Sequence, residues 1–259
     1  HWPKHKVWHK EQTQRDKEIR EGTLPQLHRS QAEAAARDAE RMGSEFSKRF
    51  AAAMALPEGD YHAEAKAWRK IIKQWPDQAV PHWNLATALK RSSRFVEAAR
   101  VFLKAMELCE DGTNDWAEAA AESFDLLKHP DCDEEPKPEW WNDEGLKALS
   151  ARVVALAPDQ SRSCRMRARV LHMSSEALSK AQWNAGPRTA AEIKEAATWY
   201  RRAARVTRVP ADKLFNEELA SKCDAVAVPL LAKEEAEAAK ARAAAKAEAA
   251  EALKVAEAK

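Results

Sequence analysis

The stretch AVPHWNLATALKRSSRFVEAARVFLKAMEL, Ala79 to Leu108, decides how this chain is read. Its first part, Ala79–Lys90, reads as a helix, with Pro81 in the opening turn, where a missing amide costs little. Arg91, Ser92, Ser93 and Arg94 make a short turn. Phe95–Leu108 is then a second helix, running back antiparallel to the first.

The same cadence continues on both sides. Upstream, an alanine-rich helix is expected over Ser30–Met42, with Ser30 and Glu33 placed as a capping box. A helix over Ser44–Leu56 carries an apolar stripe of Phe46, Phe50 and Met54. Pro57 to Asp60 form a turn, and Tyr61–Trp75 follows with Trp68, Ile71, Ile72 and Trp75 toward the core. Downstream, Asp115–Lys128 has a seam of Trp116, Ala120, Phe124 and Leu127. After an acidic, proline-bearing loop over His129–Pro138, helices are expected over Glu139–Leu156, Gln160–Met173, Thr189–Val206 and Ala211–Cys223. Pro229 opens the last segment, which is almost entirely Ala, Glu and Lys and reads as a solvent-exposed helix. The fold class is all-α, built from antiparallel helical hairpins stacked as a solenoid.

The Ala79–Leu108 stretch resembles a tetratricopeptide (TPR) repeat. Leu85 holds the family's leucine position, Ala86 stands for its glycine and Leu89 for its tyrosine, while Trp83 is one place late. Phe95, Ala98, Phe102 and Ala105 follow the family's aromatic–small–aromatic–small order. Small Ala86, Ala98 and Ala105 let two helices approach closely, and Phe95 and Phe102 fill the wider space between pairs. Tyr61 and Trp68 resemble the large residues of a preceding second helix, and Ala196, Tyr200 and Ala203 those of a later one. The resemblance implies a TPR-like domain over 30–223, its best repeat at 79–112. It is flanked by a basic arm and linker over 1–29 and a terminal helix over 224–259.

Composition limits the function classes. Six glycines leave little material for phosphate-cradling loops, and the Walker, zinc-protease and nucleophile-elbow motifs are absent. His1, His5 and His9 share a four-residue spacing, but Pro3 argues against the helix that would align them on a metal. Cys109, Cys132, Cys164 and Cys223 form no CxxC pair and read as free thiols. No catalytic residue, metal or cofactor is expected, and the chain reads as a non-enzyme. Charge is uneven: Glu107 to Glu144 holds 14 acidic residues against two lysines, and Ser161 to Arg208 holds 11 basic residues against three glutamates.

The function expected is protein–protein interaction, as a scaffold or accessory subunit of a larger assembly, with a transient adaptor or assembly chaperone binding client peptides as the alternative and an RNA-associated helical-repeat protein as a third, weaker one. Candidate partner-binding residues are Trp2 and Trp8 in the arm, Trp140 and Trp141 after the acidic loop, and His82 and Asn84 on the first helix of the best repeat. Arg162, Arg165 and Arg169 on one helix face, with Arg201 and Arg205 on a later helix, complete the set. The arginines have a second reading, as internal ion-pair partners of Asp131, Asp133, Glu134 and Glu135. Aromatic rings do not interleave with the arginines, so nucleic acid is not the expected partner, and neither is a small-molecule substrate. Membrane contact is expected to be indirect at most. The location expected is intracellular, soluble or peripheral. The start at His1 would fit removal of a chloroplast or mitochondrial targeting segment.

Overall fold

A computed structural model describes the protein over residues 43–57, 59–172 and 186–257. The arm with Trp2 and Trp8, and the helix expected over Ser30–Met42, lie outside the described residues. Every regular element described is helical. The helices are α1 (43–54), α2 (Tyr61–Gln74), α3 (Ala79–Arg91), α4 (Phe95–Leu108), α5 (Asn114–Leu127), α6 (Asp143–Leu156), α7 (Ser161–His172), α8 (Ala190–Val206) and α9 (Pro210–Glu257), with a 3₁₀ turn at Pro130–Cys132. The chain divides into two compact units, His1–Asp111 and Gly112–Lys259, a division that falls inside the expected 30–223 domain.

In the first unit each helix packs on its neighbour in sequence, α2 on α3 and α3 on α4. Phe46 and Phe50 of α1 meet Trp75 and Trp68 edge-on, with ring centroids 5.3 and 5.1 Å apart. Asp60 caps α2 by accepting a hydrogen bond from the Ala63 amide at 2.9 Å. Leu85, Ala86 and Leu89 of α3, and Ala98, Phe102 and Ala105 of α4, are all buried, and Trp83 stands edge-on to Phe102 at 5.0 Å. Phe95 is only half-buried.

The turn between α3 and α4 closes in a Schellman arrangement. The Ser93 amide donates to the Lys90 carbonyl at 3.1 Å and the Arg94 amide to that of Leu89 at 2.9 Å. This needs a left-handed residue, and Ser93 supplies it with φ 60° where glycine is usual.

In the second unit α5 packs on α6 and α7, α6 on α7, α7 on α8, and α8 on α9. Ile193, Ala196, Ala197 and Tyr200 of α8 form one core with Ala168 and Leu171 of α7 and Ala220, Cys223 and Ala227 of α9. The Thr189–Glu192 capping box fixes the start of α8.

Two expectations about element boundaries change. The helix expected from Glu139 starts at Asp143, because Asn142 is its cap, accepting from the Gly145 amide at 2.8 Å. The segments expected to part at Pro229 are one helix, Pro210–Glu257, with Pro229 inside it, so a boundary at 223/224 falls mid-helix. A proline in a helix costs roughly 3 kcal/mol. Here Pro229 faces solvent, Ala227 before it is buried in the core and Leu230 after it is packed against that core, so the helix is held on both sides of the break.

Candidate functional site

Basic residues of α7 meet acidic residues of α5, and the helical period puts both in place. Arg162, Arg165 and Arg169 share one face of α7, and Glu122 and Asp125 share one face of α5. Arg169 Nη1 donates to Asp125 Oδ1 at 2.6 Å, Arg162 Nε lies 3.9 Å from Asp125 Oδ2, and Arg162 also pairs with Glu122. Arg165 reaches Asp212 of α9 at 3.6 Å. Burial pushes the Asp125 carboxyl up, but Arg169, Lys128, Arg165 and Arg162 outweigh it and hold the group below the usual carboxylate value. Lys128 is lowered to about 8, first by burial and then by repulsion from Arg169, with Asp125 opposing. Its ammonium sits 4.8 Å from the centre of the Phe124 ring.

The later arginines are engaged in the same way. Arg201 pairs with Asp224, and Arg202 donates to Asp159 at 2.8 Å and to the Pro158 carbonyl at 2.6 Å. Arg205 is exposed. Arg162, Arg165, Arg169 and Arg201 therefore pair with carboxylates on helices, not with the acidic-loop residues expected as their internal partners.

Arg188 was not among the expected site residues. It is 2% exposed in its side chain and makes a two-pronged bridge to Asp143, at 2.6 and 2.9 Å, while also donating to the Val170 carbonyl at 2.9 Å. Burial would raise Asp143, but hydrogen bonds from Arg188 and Lys147 bring it down to about 2. The sequence carried one signal for this position: Arg188 directly precedes the Thr-x-x-Glu box that starts α8.

Trp140 and Trp141 are half-buried, with Trp141 against Phe124 at 5.7 Å and Trp140 against Trp141 at 5.7 Å. Lys137 holds their loop. Its ammonium donates to the Leu127 carbonyl at 2.9 Å and the Cys132 carbonyl at 2.6 Å, and lies 5.5 Å from the Trp141 ring centre. Gly145 is required here, since a Cβ would stand 2.6 Å from the Trp140 carbonyl oxygen.

His82, expected on the exposed edge of α3, is instead buried. Its Nδ1 lies 2.9 Å from the Gln78 carbonyl, which can only accept, so that nitrogen carries the proton. Asn84 beside it is half-buried. Arg91 is drawn over the Tyr61 ring at 5.6 Å. Cys132, Cys164 and Cys223 are buried free thiols, and burial raises the last two to about 11, which keeps them protonated and unreactive.

Among the described residues no group of His, Cys, Asp and Glu side chains is arranged to hold a metal ion, and no helix is long and apolar enough to cross a membrane. Neither a protein-family model nor a curated protein matches this sequence. The fold is thus the ground for classification: an all-α, helix-packed arrangement of the generic helical-repeat kind, in which neighbouring helices in the chain pack side by side.

Proposed function

We propose that this protein is a TPR-like, non-catalytic interaction scaffold, an accessory subunit that helps hold a larger protein assembly together. The observation that carries this reading is α9. It runs for 48 residues, about 72 Å at 1.5 Å per residue. Residues 235–249 within it are exposed all the way round. A helix that continues well past the core it packs on is suited to bridging or anchoring and adds little to the stability of its own unit. The TPR-like reading rests on Leu85, Ala86, Leu89, Ala98, Phe102 and Ala105, whose buried seam matches the repeat pattern. Purifying the protein with its native partners at moderate salt tests the proposal. Stoichiometric co-migration with a large assembly supports it, and a largely free monomer overturns it.

One feature favours the adaptor reading. A groove of about 300 Å³ runs between α1 and α2, with a floor of Ala52, Ala53, Leu56, Ala67 and Ile71 and with Arg49 and Lys70 in its lining. An adaptor would show client peptides bound substoichiometrically, and filling the groove with Ala67→Trp would abolish their binding.

A further inference from the structure

Among the described residues six large hydrophobic side chains are exposed, and five of them cluster at or along the start of α9: Val209, Leu214, Phe215, Val226 and Val228. Leu214 is 68% exposed, Phe215 46% and Val226 48%. The inner side of this helix is occupied, because Ala220, Cys223 and Ala227 pack into the core on α7 and α8. At 3.6 residues per turn, Leu214, Phe215, Glu218, Lys222, Ala225 and Val226 lie on the opposite side, and each is exposed. Two exposed apolar patches flanking a charged centre, Leu214 and Phe215 before it and Ala225 and Val226 after it, on the outer face of a helix that already buries its inner face, mark an interaction surface.

The order of the outer residues indicates what covers them. They read symmetrically about Ala220. Leu214 and Val226 are equidistant from it, as are Phe215 and Ala225, and Glu218 and Lys222. Turning a second α9 end over end about that point sets Leu214 beside the small Ala225, Phe215 beside Val226 and, at the centre, Glu218 against Lys222, each contact made twice. This is the self-complementarity that a two-fold interface requires. Within one helix Lys222 Nζ already lies 2.7 Å from Glu218 Oε1, with the two side chains 61% and 62% exposed. In the antiparallel pair these four charges alternate in sign around a ring. A parallel pair in the same register would set like against like, so the charges select the orientation.

We propose that the outer face of α9 pairs antiparallel with the same face of a second copy of this chain, centred on Ala220. The inference goes beyond the scaffold reading and does not depend on it. The matched stretch, Ala211 to Pro229, is about 27 Å long, so the interface is small and the dimer forms only at high concentration.

Sedimentation equilibrium of the full chain, from roughly 1 to 300 µM, tests this by mass action. The wild type is expected to pass from monomer toward dimer across that range. Glu218→Lys and Lys222→Glu should each raise the dissociation constant by about tenfold or more, since each creates four like charges at the centre. An equimolar mixture of the two variants should recover the dimer, because two lysines of one copy then face two glutamates of the other. Neither variant regains the pair within its own helix, so recovery in the mixture cannot come from helix repair. Circular dichroism checks that both variants keep their helix. A wild type that stays monomeric throughout, a dimer indifferent to both substitutions, or a mixture that fails to recover overturns the proposal.

Discussion

In the first unit α3 and α4 meet through Ala86, Ala98, Phe102 and Ala105, all fully buried, whereas in the second unit α5 and α7 meet through Glu122 and Asp125 against Arg162 and Arg169. The hydrocarbon seam gains free energy from every area it removes from water and needs only the right volume at each position. The charged seam recovers in Coulomb energy much of what it loses in desolvation, so its net contribution is small, but losing one partner strands the other. The first kind of seam sets stability, and the second sets which helix faces which. Both kinds occur in the second unit, where the Ile193–Tyr200 core on α8 sits beside the Arg188–Asp143 bridge.

The contrast breaks most sharply at Phe102. Phe102→Ala removes a wholly buried ring and is expected to cost about 3–5 kcal/mol. Urea unfolding, with hydrogen exchange of α4 amides to locate the effect, measures it. Arg188→Ala should come next, at about 3 kcal/mol, because it leaves Asp143 half-covered without its main partner. The loss stays near that lower figure because Lys147, 3.1 Å from Asp143, remains to share the charge. Replacing both partners, as Arg188→Met with Asp143→Leu, should recover most of the loss. If the double variant is as unstable as the single one, the charged seam contributes more than specificity.

Two pH windows sharpen the same point. Asp143, held at about 2, lies below its unfolded value, so its contribution is full above about pH 4 and fades as pH falls toward 2. Stability measured between about pH 5 and pH 2.5 should fall less steeply in Arg188→Ala than in the wild type. Lys128 acts in the opposite range. Lowered to about 8, it binds fewer protons folded than unfolded, so its unfavourable contribution is full below that pH and is relieved as pH rises toward about 10.5. Lys128→Met should flatten that rise.

The smallest effects expected are at exposed sites. Ser93→Gly removes the left-handed strain at the α3–α4 turn and should add about 0.5–1 kcal/mol to stability, read as an upward shift in the urea midpoint. Arg201→Ala breaks an ion pair whose partners are both nearly half exposed, and should change stability by less than about 1 kcal/mol in the same assay.

Much of the helical layout was legible in the order of residues. Pro81, Asp60, Thr113 and Thr189 mark helix starts through local chemistry, and the Leu85–Ala105 pattern exposes its own seam, because such signals act within one or two turns. His82 misled because it sits at a polar-looking position of the repeat, yet the Gln78 carbonyl one turn back satisfies its ring and lets it be buried. Pro229 misled because its local cost is plain in sequence, while the packing of Ala227 and Leu230 that outweighs it comes from α8.

By itself the sequence determined the all-α class, the helix and turn positions, the apolar faces and the uneven charge, all of which follow from short-range periodicity and backbone preference. Tertiary structure alone decided which carboxylate each arginine takes. Arg169 pairs with Asp125 from 44 residues away and Arg188 with Asp143 from 45 residues away, because an ion pair is chosen by proximity in space after the helices have packed.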